Sequence, residues 1–123
     1  MLYAGDNDLS FGWKSPDRVL ADFKAFVRTV HADLPQTWIY YISMKPAPFG
    51  DWQLMDRTNR MIAAYVRTQE RVQFIDVSSA MLDAQGKLRS GLYGWDPMHM
   101  RAPGYALWTS IIKPVLMARF GPP

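Results

Sequence analysis

The sequence predicts an α/β fold built on a parallel sheet, and three observations predict it. Segments with strand character alternate with segments of helical periodicity, in the order strand, helix, strand, helix, strand, long loop, helix. Two of the strand segments, "TWIYYIS" at 37–43 and "VQFIDVS" at 72–78, are β-branched and aromatic without clean alternation. Strands covered on both faces read that way. The stretches between strands are long enough for the helical crossovers that parallel neighbours need.

The elements follow in order. Residues 1–4, "MLYA", read as a short apolar strand, and Gly5-Asp6-Asn7-Asp8 as the polar turn that ends it. The next helix starts at Ser15, a good N-cap, with Pro16 in the first helical position and Asp17 at the positive end of the dipole. Val19, Phe23, Phe26, Val27, Val30 and Leu34 recur at helical spacing along one apolar face, and Leu34-Pro35 ends the helix. After the second strand, "MKPAPFGDWQ" is a Pro/Gly loop. The next helix covers about residues 51–69, with Leu54, Met55, Met61, Ile62, Tyr65 and Val66 on its buried side. The third strand leads into a short helical turn near Ala80 and then a long loop. The last helix, residues 104–120, aligns Trp108, Ile111, Ile112, Val115 and Leu116 on one face, and Pro114 predicts a kink.

The chain of 123 residues, 49% of them apolar, is read as a single domain. A net charge of +3, spread without a polybasic run, argues against a nucleic-acid partner. The absence of cysteine excludes disulfides, thiolate nucleophiles and Cys-type metal sites. With only His31 and His99, no metal cluster has convincing spacing, and no cofactor is expected. No apolar run approaches the ~18 residues that a membrane span requires.

In an open parallel sheet, ligands gather at the carboxyl ends of the strands. Three segments lie there: 5–8, 45–52 and the long loop after Val77, which contains "DPMH". Asp96 and His99, three residues apart, can meet on one loop. The carboxylate would then accept a bond from Nδ1–H, fix the tautomer and leave Nε2 free as a general base. Either motif alone is weak, because Asn is simply a good left-handed turn residue and loop histidines are common.

The two together carry more. "YAGDNDL" after a strand, with "DPMHMRAPGYALW" opening the last helix, resembles the SGNH or GDSL family of serine hydrolases, the lipases, acylhydrolases and esterases. The likeness extends to "SPDRVLADFKAFVRTVHADLP", "SMKP", "RVQFIDV" and "IIKPVL", and so covers nearly the whole chain. It implies a three-layer flavodoxin-like sheet, truncated here to its last three strands with their flanking helices. It also implies roles for residues. Asn7 matches the side-chain donor to the oxyanion, with Gly5 and Asp8 completing its turn. Asp96 and His99 match the orienting carboxylate and the base. Gly104 and Tyr105 match the helix start that follows, in a structural role.

The family's nucleophilic serine and the glycine of its second block have no counterpart, and both are expected ahead of residue 1, through a misplaced start or a truncated gene. Ser10, just beyond the turn, and Ser43, ending the second strand, are not where the family puts its nucleophile. The resemblance therefore implies hydrolysis of small carboxylic esters by a Ser-His-Asp route, with this chain alone expected to be nearly inert by that route. The other reading is a non-catalytic domain that binds a glycan or a partner chain, dimerising through the open edge of the strand at Met1. Trp13, Trp52 and Trp95 can line such a pocket or cover the core. Lys45 can face the site but is read rather as snorkelling from its loop, Asp76 as a loop cap rather than a catalytic acid, and His31 as structural or solvated. Compartment is left open.

Overall fold

The computed structural model describes residues 1–122. It is mixed α/β with a small parallel sheet. Strand β1, Ile39–Ile42, pairs in parallel with β2, Val72–Ile75, in the register Ile39 to Val72 through Ile42 to Ile75. On the other side of β1 lies Leu2, which donates from its N–H to the Tyr40 carbonyl and accepts from Ile42 N–H. The opening strand is thus reduced to one parallel bridge, Leu2 to Tyr41. It cannot run on towards β1 because Gly5 turns the backbone at φ +108.

The polar turn at 5–8 is also more than a turn. Gly5 is the N-cap of a five-residue helix α1, Asp6–Ser10. Helix α2, Pro16–Asp33, starts on Ser15, whose Oγ accepts from Arg18 N–H. Helix α3, Trp52–Val66, starts on Asp51, which accepts from Leu54 N–H. Each such cap contributes about 1 kcal/mol. A 3₁₀ turn covers Ser79–Met81, and helix α4, Ala102–Phe120, runs through Pro114 without interruption. It begins two residues earlier than the sequence suggests, because Pro103 suits a first-turn position.

Alternation along the strands sorts the core into two layers. Ile39, Tyr41, Val72 and the half-buried Leu2 and Phe74 face α2 and α3, meeting Val19, Phe23, Val27, Met55, Ile62 and Val66. Tyr40, Ile42, Ile75 and Val77 face the other way, against Trp108, Ile111, Ile112, Val115 and Leu116 of α4, the face expected from the sequence. Phe26 and Leu34, expected on the buried face of α2, are exposed instead. Helix α3 buries Thr58 and Asn59, which periodicity of apolar residues does not find.

Those buried polar groups fix the sheet's carboxyl end. Asn59 Oδ1 accepts from Met44 N–H at 2.9 Å and its Nδ2 donates to the Met44 carbonyl at 3.0 Å, clamping the backbone just past β1. Ser43 Oγ accepts from Val77 and Ser78 N–H, tying the ends of β1 and β2 together. Buried polar groups satisfied on both sides hold one backbone arrangement against its alternatives.

Candidate active site

The site is assembled from three segments at that carboxyl end. The first is Gly5 with helix α1. Its entry is pinned by Tyr41 Oη, which donates to the Ala4 carbonyl at 2.7 Å. A Cβ on Gly5 would lie 3.0 Å from Val19 Cγ1 and 3.3 Å from Met44 Sδ, on a backbone that only glycine adopts easily. Leu9 anchors the far end of α1 in the core, 5% exposed. Asn7 stands on the exposed side between these anchors.

The second segment follows β1. Lys45 does not snorkel outward as its sequence context suggests: its side chain is 15% exposed. Its ammonium donates to Tyr3 Oη at 3.2 Å and lies 3.6 Å from Asp6 Oδ2. Tyr3 Oη in turn donates to Asp6 Oδ2 at 2.7 Å. Burial first, and the Asp6 carboxylate second, push the Tyr3 phenol far above its ordinary value, so it is a neutral donor. Tyr3 and Asp6 are the functional-site neighbours that sequence reading missed. Nothing in a tyrosine two residues before a glycine turn announces a contact 42 positions away in the chain.

The third segment is the loop that carries Asp96 and His99. Its base is pinched by an antiparallel bridge between Tyr93 and Met100. Tyr93 Oη donates to the Pro46 carbonyl at 2.8 Å, tying this loop to the Lys45 segment. Asp96 Oδ1 accepts from Met98 N–H at 2.8 Å, and Asp96 Oδ2 meets His99 Nδ1 at 2.7 Å. The Met98 amide first, and the His99 ring next, hold the Asp96 carboxyl below the usual carboxylate range. With Nδ1 engaged by the carboxylate, Nε2 is the nitrogen left for other partners. The His99 side chain is 75% exposed.

A cleft of about 590 Å³ joins the three segments, lined by Tyr3, Gly5, Asn7, Lys45, Met98 and His99 among others. Asp8 lies on its wall, 3.8 Å from Lys14. Of the three tryptophans considered, Trp13 lines this cleft, stacked on Phe11 at 4.9 Å, whereas Trp52 packs on the core and Trp95 is 97% exposed.

Neither candidate serine shares the cleft with His99. Ser43 is fully buried and committed to two backbone amides. Ser10 borders a smaller neighbouring pocket with Asn7, Phe11 and Lys45. Asp76 caps its own loop, accepting from Ser78 and Ser79, and His31 Nε2 lies 2.9 Å from the Thr37 carbonyl. Gly104 is structural: a Cβ there would lie 2.8 Å from Met100. Tyr105 is half exposed on α4. Among the described residues, no three His, Asp or Glu side chains are grouped to hold a metal.

Residues 1–107 match the model of the GDSL-like Lipase/Acylhydrolase family, and the chain belongs to that family. Solved structures share its fold. One is described as a putative platelet activating factor from Streptococcus pneumonia, with a TM-score of 0.84 at 22% identity over 94% of this chain. A GDSL-like lipase from Bacteroides thetaiotaomicron gives 0.77 at 21% over 94%, and a carbohydrate esterase family 3 protein from Talaromyces cellulolyticus 0.72 at 20% over 94%. The chain spans 57%, 60% and 55% of the lengths of these three. A search of curated proteins gives no significant match. Among the described residues, no helix is long and apolar enough to cross a membrane.

Proposed function

We propose that this chain supplies the oxyanion and acid–base half of an ester hydrolase, acting on small carboxylic esters through a Ser-His-Asp route. The observation that carries this reading is the shared cleft: Asn7 and His99 line one cavity from opposite ends of the chain, and Asp96 holds His99 from behind at 2.7 Å. A hydroxyl supplied from outside these residues attacks the acyl carbonyl, and His99 Nε2 takes its proton. Asp96 keeps the ring in the tautomer that can do so and stabilises the imidazolium. The Asn7 amide donates to the oxyanion of the tetrahedral intermediate. His99 then returns the proton to the leaving alcohol, and water releases the acid by the reverse sequence. Losing a triad serine costs about six orders of magnitude in turnover. One oxyanion donor contributes only about two to three orders, so the chain without that hydroxyl is expected to be nearly inert.

The test is p-nitrophenyl acetate hydrolysis, by the chain alone and by the chain fused behind a serine-bearing strand–helix segment of the same family. Turnover in the fused chain that is lost in His99→Ala supports the reading. No turnover in a folded fused chain contradicts it.

A second reading, a non-catalytic domain that pairs with a partner chain or binds a glycan, has one observation in its favour. An apolar groove of about 720 Å³ on α4 is lined by Tyr105, Trp108, Ile112, Leu116 and Phe120, and the Tyr3 ring of the opening segment packs on Trp108. Hydrodynamic mass decides the homodimer version: a monomer across the micromolar range excludes edge pairing.

A further inference from the structure

We propose that Tyr3, Asp6 and Lys45 are positioning residues, which fix helix α1 so that the Asn7 amide faces the cleft at the height of His99. A helix of five residues has no stability of its own, since nucleation is unfavourable and few internal bonds repay it. Its orientation must come from anchors. Leu9 holds the last turn in the core, but Leu9 lies two residues past Asn7 and leaves the first turn free to roll. Asp6 is the residue directly before Asn7, and its carboxylate is where the other two groups converge. Tyr3 reaches it from the chain before the turn at 2.7 Å, and Lys45 from the segment after β1 at 3.6 Å. The Lys45 ammonium also bonds Tyr3 Oη at 3.2 Å, closing a three-membered ring of contacts across three segments.

The anchors are themselves held. The Tyr3 ring packs against Trp108 of α4 with centroids 5.4 Å apart. Lys45 follows Met44, whose amide and carbonyl are both clamped by Asn59. Rigidity therefore passes from both layers of the core to the residue next to Asn7. The Asn7 side chain has no protein hydrogen bond among the described residues, so nothing but the set of the helix aims it. Asp6 and Lys45 are 20% and 15% exposed, sheltered enough that removing one leaves the other poorly compensated. Groups that orient a donor from behind in this manner govern whether the donor meets the oxyanion at the required distance.

This role rests on Asn7 being the oxyanion donor, and the two ideas fail separately. Positioning is read without turnover, in the chain as it exists, from the side-chain amide signals of a nitrogen–proton correlation spectrum. The sequence has only two asparagines, Asn7 and Asn59. Asn59, locked between the two Met44 groups, serves as the internal reference. Asn7→Ala assigns the Asn7 pair by its loss, and correlation to the side-chain carbons separates the Asn59 pair from those of the glutamines. In Tyr3→Phe, Asp6→Ala and Lys45→Met, the Asn7 pair is expected to move from its position in the unaltered chain while the Asn59 pair stays in place. Lys45→Arg should restore the Asn7 signals in part. Tyr3→Phe removes only a hydroxyl, so it decides the matter if either charge variant fails to fold. An Asn7 pair unmoved in folded Tyr3→Phe overturns the role, as does an equal shift of the Asn7 and Asn59 pairs, which would mark general loosening. The oxyanion reading itself stands or falls on whether Asn7→Ala lowers turnover in the fused chain.

Discussion

The two halves of the cleft are built in opposite ways. Asn7 stands on a short helix whose neighbours on both sides are tied into the core: Gly5 against Val19 and Met44, Asp6 into the Tyr3–Lys45 ring, Leu9 among buried side chains. The Asp96–His99 pair stands on an exposed loop: only the loop's base is tied to a distant segment, through Tyr93 and Pro46, and the bonds of the pair itself are local, spanning two and three residues. A donor that must meet a developing charge gains from being fixed before the reaction, because it then costs no reorganisation. A base that must take a proton from one group and hand it to another needs its tautomer fixed more than its distance, and one carboxylate does that. The contrast also separates what each substitution should disturb.

The largest effect is expected on the loop side. In the fused, serine-bearing chain, His99→Ala should lower kcat by about six orders of magnitude, since base and nucleophile act as a unit. Thermal melting should barely move, because the ring is mostly exposed. Steady-state kinetics beside a melting curve checks both halves of that statement. Asn7→Ala comes next, with kcat lower by about a hundred- to a thousand-fold and KM little changed, as for a donor used only in the transition state.

Gly5→Ala tests the rigid half through stability instead. It forces a left-handed backbone on alanine and drives a methyl against Val19, so a loss of about 1–3 kcal/mol is expected by chemical denaturation. Gly91→Ala is the control. Its φ is +86 but nothing lies within 4 Å of the added carbon, so it should cost less.

The smallest effect is the pH response of Asp96. Its folded pKa is depressed, so its stabilising contribution is present above the unfolded value of about 3.9 and is lost as pH falls through the folded one. Carboxylate NMR should show Asp96 titrating below a typical aspartate, and Met98→Pro, which removes the amide donor, should raise it. A titration at the ordinary value would mean that the loop is not closed on its carboxylate.

How much of this could be read from the sequence follows the same division. The α/β order, the cap at Ser15, the helix start near Asp51, the α4 face and the Asp96–His99 contact are all local or periodic, and all were legible. Contacts that join distant segments were not. Lys45 looked like a solvated loop lysine because its two partners lie about forty residues upstream. The opening strand looked longer than its single bridge because strand propensity does not count the partner available beside it. Phe26 and Leu34 fit the α2 stripe by spacing, yet Phe26 borders an open surface pocket beside Leu2 and Phe23, and Leu34 lies past the helix's last residue, Asp33.

The central claim is that this chain contributes base and oxyanion donor while the attacking hydroxyl comes from elsewhere. Intact mass and peptide mapping after brief exposure to p-nitrophenyl acetate test it most directly. The account predicts an acetyl adduct on the serine of the fused segment, lost in His99→Ala, and no adduct on Ser10 or Ser43. A His99-dependent acetyl adduct on Ser10 in the chain alone would contradict it.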